Sequence, residues 1–235
     1  MIDTHKADND KKTVLAIDTA LSGVSVGLIA ANGHIVSRMV ETERAQAAIL
    51  VPTIQEVVSE AAIDFKDIDL IVCTKGPGSF TGLRIGLATA RTMALALNKP
   101  IIGLNTLDVM ARHYESAKPL LIVLETKRQD FYGCYYDSQK NPLTDPFAVD
   151  GPSVLQCAPV DDFNVGGDCL ERFKTSVSED LNLLENMTQP DPILMAQYGW
   201  DLFQEQGDQG RPHPLYLRGA DISSPKMPPR KLAEV

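Results

Sequence analysis

A residue with almost no side chain returns at every fourth position in one stretch of this chain: Gly82, Gly86, Ala90 and Ala94. Positions four apart share a face of an α-helix, so the stretch 81–97 can present a bare ridge. A glycine within a helix costs about 0.5–1 kcal/mol relative to alanine. Two on one face therefore mean that another backbone comes close. That backbone belongs either to the chain's own sheet or to a different polypeptide. Leu83, Leu87 and Leu97 supply a core face, whereas Arg84 and Arg91, seven apart, make a charged stripe suited to the rim of an exposed patch. On the second reading the ridge forms a partner interface, with Gly82, Arg84, Gly86, Ala90, Arg91 and Ala94 as its expected contact residues.

The approach to this helix, KGPGSFTGLR (75–84), is rich in glycine but fits no phosphate-binding loop. No Lys-Ser or Lys-Thr follows Gly82, as a P-loop requires, and the spacing Gly76, Gly78, Gly82 is one residue too long for the dinucleotide fingerprint. A nucleophile elbow needs GxSxG, yet Ser79 abuts Gly78. His5, His34, His113 and His213 lie in a tail, a hairpin, a helix end and a Pro-rich coil, so no base is placed for Ser79. Ser79 or Thr81 is better read as the cap of the helix that follows, and a serine protease ranks last among the candidate functions.

The hydrophobic pattern gives the order of elements. TVLAID, VSVGLIA and HIVSRMV, the last two joined by an Asn32-Gly33 turn, predict three antiparallel strands. An amphipathic helix follows, in which Pro52 must begin a new turn or kink the axis, then a buried strand at 69–76, the helix at 81–97 and a strand at 99–105 reached by a crossover. The order is βββαβαβ. A second α/β unit starts near Thr106, with a short helix to His113, a strand at 119–126 and an aromatic-rich mate at 129–137. Residues 138–162 read as loop, 165–168 as a strand-to-helix turn and 191–207 as a final helix. The expected organisation is a tail over 1–12, a first lobe over 13–105 completed by 191–207, a second lobe over 106–190, and an irregular tail over 208–235.

A formal net charge of −9 argues against a free-standing nucleic-acid binder. The four cysteines are widely spaced, with no CxxC pair, and read as reduced thiols. No run is long and apolar enough to span a bilayer and the first dozen residues lack a signal pattern. The expectation is a cytoplasmic protein without metal or cofactor.

Four segments, AIDTALSGVSVGL, KGPGSFTGLRIGLATARTMALA, PIIGLNTLDVMA and PLYLR, together resemble the TsaB (YeaZ) family, from about Val14 to Arg218 and least well over 136–185. The resemblance implies an actin-like α/β fold of two similar lobes, as in sugar kinases and Hsp70. It also implies a noncatalytic subunit that acts with TsaD and TsaE in threonylcarbamoylation of adenosine 37 in tRNAs reading codons that begin with A. It further implies pairing with TsaD through helices of the first lobe, which adds the helix over 44–61, with Leu50 and Ile54, to the expected interface. Contact with tRNA would come only through the complex, and the chain alone could form a homodimer. In that superfamily an acidic residue of the first hairpin faces nucleotide phosphates or metal. Asp18 and Thr19, with Glu125 and the glycines Gly166 and Gly167, are then the remnant of a nucleotide site. The metal-binding histidines of TsaD have no counterpart here, and Gln46 stands where many TsaB chains keep a histidine. The alternative is an ATP-dependent phosphotransferase of the same fold, with Asp18 and Glu125 holding magnesium.

Overall fold

The computed structural model describes residues 12–42 and 44–218. β1 (Val14–Asp18), β2 (Gly23–Ile29) and β3 (Ile35–Glu41) form an antiparallel meander, and β4 (Leu70–Gly76) and β5 (Ile101–Asn105) add in parallel beside β1. The sheet order is β3-β2-β1-β4-β5. α1 (Gln46–Glu60) and α2 (Phe80–Leu97) make the crossovers on one face. β1 is buried on both faces, and its alternation sorts the core. Leu15 and Ile17 pack with Leu50, Ile54, Leu87 and Ala90 under α1 and α2. Val14 and Ala16 turn the other way, to Met195 and Ala196 of α6 (Pro192–Gln206).

α3 (Thr106–His113) leads into a second sheet, built from β6 (Leu120–Glu125), β7 (Asp130–Tyr136), β8 (Phe147–Asp150), β9 (Asn164–Gly167) and β10 (Asn182–Asn186), with α4 (Gly151–Gln156) and α5 (Leu170–Ser176). Its order, β10-β9-β6-β7-β8, repeats that of the first sheet strand for strand, with β6–β7–β8 antiparallel and β9, β10 parallel to β6. The fold is actin-like, two lobes of one topology.

Two expectations for the second lobe are corrected. The stretch read as loop holds β8 and α4, and the 165–168 turn is strand β9 for its first three residues. Pro52 lies inside α1, which runs unbroken from Gln46 to Glu60. α6 sits tight on the first sheet because Gly27 has no Cβ, which would stand 2.8 Å from Pro192. Among the described residues, no helix is long and apolar enough to cross a membrane.

Candidate functional site

The bare ridge of α2 faces inward, which corrects its assignment as a docking surface. Gly82, Gly86, Ala90 and Ala94 are buried. The backbone that comes close is the chain's own: a Cβ on Gly82 would lie 1.9 Å from the Thr19 carbonyl oxygen, and one on Gly86 2.4 Å from Thr19 Oγ1. The Thr19 hydroxyl donates to the Gly82 carbonyl at 2.7 Å, so the turn after β1 is bolted to the first turn of α2. Leu50 and Ile54 likewise serve the core, at 1% and 2% exposure. Arg91 is half-buried and donates to the Pro212 carbonyl. Of the eight expected interface residues only Arg84 stands exposed, its guanidinium 5.3 Å from the Phe80 ring.

The exposed strip beside the ridge is different in kind. Ala47, Ala48, Val51 and Pro52 of α1, with Thr81, Ala88, Thr92 and Ala96 of α2, face solvent. Between the helices runs a groove of about 460 Å³, with Val51, Gln55, Phe65, Ala88, Thr92 and Met93 among its walls and Ile54 at its base. No charged side chain lines it. Small residues make the strip shallow enough for another helix to lie along it.

A second concavity, of about 530 Å³, lies between the lobes. Ala20 and Leu21 after β1, Ser79 and Phe80 at the start of α2, Glu125 to Arg128 between β6 and β7, and Leu215, Tyr216 and Arg218 line it. Its floor is held by Gln46, whose buried amide reaches the carbonyls of Thr19, Leu21 and Gly23 at 3.3, 3.1 and 2.8 Å. Ser79 caps α2, its hydroxyl accepting from Gly82 N at 3.2 Å.

The expected remnant of a nucleotide site is only partly brought to this cleft. Asp18 lies beneath the floor, 1% exposed. Its Oδ1 accepts from Ala20 N at 3.0 Å and Thr74 Oγ1 at 2.5 Å, its Oδ2 has no partner, and burial pushes the carboxyl up to about 6. Glu125 does reach the cleft, but Arg172 Nε pairs with it at 2.8 Å and it accepts from the Lys127 amide. Gly166 and Gly167 are packed inside β9, where a Cβ would meet the Tyr114 ring at 2.4 Å and the Val123 carbonyl oxygen at 1.8 Å. Asp168, the last residue of the glycine-rich 165–168 stretch, does line the cleft; its Oδ1 accepts from Glu125 N at 2.7 Å, and burial lifts its carboxyl to about 6. These residues do not fit a magnesium-bound nucleotide. One acid is sealed under the floor, the second is neutralised by an arginine, and the glycines are spent on strand packing.

The family described as TsaD, tRNA N6-adenosine threonylcarbamoyltransferase, matches residues 34–165, more than half of the chain. The chain belongs to this family. Within it the likeness is to TsaB, as the motifs implied. TsaB of Escherichia coli is 30% identical over 133 residues, which cover 55% of this chain and 57% of that one. The TsaB of Buchnera aphidicola from Acyrthosiphon pisum is 30% identical over 134 residues, 55% of this chain and 60% of that protein. An uncharacterised protein of Mycobacterium tuberculosis is 34% identical over 151 residues, 63% of this chain and 67% of its own length. In structure the chain resembles YeaZ of Pseudomonas aeruginosa, with a TM-score of 0.74 and 23% identity over 88% of this chain and all of that one.

Proposed function

We propose that this protein is a noncatalytic subunit in the making of threonylcarbamoyladenosine at position 37 of tRNAs reading codons that begin with A, and that it works by docking a TsaD-type chain on the α1–α2 face. TsaE and tRNA join through the complex. The observation that carries this reading is the groove between α1 and α2, uncharged in a chain that is 23% charged. Val51, 49% exposed, and its small neighbours let a partner helix seat closely and expel water. Arg84, at the end of the same strip, is placed to fix register against an acidic group opposite. In the absence of the partner a second copy can cover the same face about a twofold axis. The chemistry stays with the partner, because the cleft's acids are tied up by Arg172 and by burial.

The test is Ala88→Arg, which sets an unpaired charge in the centre of the groove at an exposed helical position. A charge desolvated without a partner costs about 2–5 kcal/mol at an interface, so binding to TsaD from the same cell should weaken at least thirtyfold while the melting temperature holds. Unchanged affinity by light scattering and calorimetry would place the docking face elsewhere.

A further inference from the structure

We propose that residues 212–218 are a clasp that joins the two lobes across the cleft, and that release of its Arg218 end opens the cleft while the lobes stay together. After α6 the chain turns at Gly207 and comes back over the end of β4 and the middle of β5. Two glycines make the seat. A Cβ on Gly103 would stand 2.3 Å from Pro212 Cβ, and one on Gly76 2.7 Å from the Leu215 carbonyl oxygen. Hydrogen bonds hold the segment there: Leu215 N donates to Lys75 O at 2.6 Å, and Arg91 donates to Pro212 O. The Tyr216 ring then lies 5.4 Å from Phe80 at the start of α2. Two residues further on, Arg218 pairs with Asp130 of β7, in the other lobe.

Seven residues thus begin on the first sheet and end on the second, and Leu215, Tyr216 and Arg218 form one wall of the cleft on the way. The anchoring is uneven. The first-lobe end is seated on backbone at two glycine positions and held by two hydrogen bonds, whereas the second-lobe end rests on one side-chain ion pair, with Arg218 30% and Asp130 13% exposed. The end with the single tie is the one that lets go. The lobes have other joints, independent of the clasp. Leu21 packs with Leu107 and Met110, Ser25 bonds Gln189, and Thr188 bonds Glu41. Release therefore exposes the wall formed by Glu125 to Arg128 without separating the sheets.

The experiment compares the full chain with Arg218→Gln, with Tyr216→Ala and with both together, by amide hydrogen exchange and limited trypsin digestion. Losing the ion pair should speed cleavage after Lys127 and Arg128 at least about fivefold. Losing the ring pair as well should bring the total to roughly thirtyfold. In Arg218→Gln, exchange at Leu215, which is bonded to Lys75 O at the seated end, and in β1 and β6 should stay as slow as in the parent. Reversing the pair, Asp130→Lys with Arg218→Glu, should restore slow cleavage. The clasp is refuted if the parent is already cleaved after Lys127 and Arg128 at the rate of an unstructured peptide, or if Arg218→Gln leaves that cleavage unchanged. Faster exchange throughout both sheets also refutes it, since the segment would then be a staple of the whole fold.

Discussion

Replacing Gly82 by alanine separates the two meanings of a small residue on α2. The new methyl carbon would begin 1.9 Å from the Thr19 carbonyl oxygen, about 1.5 Å inside ordinary contact. The obstacle is backbone, in the turn that Gln46 holds from the other side, so no flexible side-chain end can swing away. Overpacking of this kind costs about 1–3 kcal/mol, and displacing the Thr19 hydroxyl from the Gly82 carbonyl adds about 1 kcal/mol. Alanine's better helix propensity returns about 0.5–1 kcal/mol. The net loss is about 2 kcal/mol, which for a chain of this size lowers the melting temperature by roughly 4–8 °C. Urea titration followed by circular dichroism, with the slope unchanged, measures it. Native stability in Gly82→Ala combined with loss of the partner would refute the reasoning and return the ridge to the surface.

Two further outcomes follow from polar groups around the cleft. Ser79→Ala removes the α2 cap and should cost about 1 kcal/mol while complementing a strain lacking the protein as well as the parent does; loss of complementation at full stability would restore a chemical role to the hydroxyl. Asp18 keeps its proton up to about pH 6 in the folded chain and loses it near 3.8 when unfolded. The folded state therefore holds the extra proton between these values, and this group's contribution to stability falls by about 2 kcal/mol as pH rises from 4 to 6. Asp168 titrates over the same window, so Asp18→Asn should remove roughly half of the decline measured by urea unfolding at several pH values; an unaltered pH profile would contradict the burial of this carboxyl.

Much of the first lobe is legible in the sequence because its signals are local. The Asn32-Gly33 turn, the alternation in β2 and the unbroken apolar run of β4 each act within a few residues. The second lobe gives weaker signals. β10 reads NLLEN, with two apolar residues among five, and α4 is six residues long and opens with Gly-Pro. Such elements exist because a sheet is already there to receive them. The periodicity of α2 correctly announces a close backbone but cannot say whose, since Thr19 is 63 positions from Gly82. The same limit applies to Asp18. A motif supplies the carboxylate, and only the packing of Ala20 and Thr74 around it decides whether solvent can reach it.

α6 covers one face of the first sheet, and that has a consequence for how the chain is made. The apolar strip of Val14, Ala16, Leu70, Val72, Ile102 and Leu104 can be complete once Asn105 has emerged from the ribosome, but its cover ends only at Gln206. At ordinary rates of synthesis this leaves roughly 5–20 s during which the strip has nothing of its own to bury it. In that interval the nascent lobe is a client for chaperones, and a translational pause between the two points lengthens its exposure to aggregation.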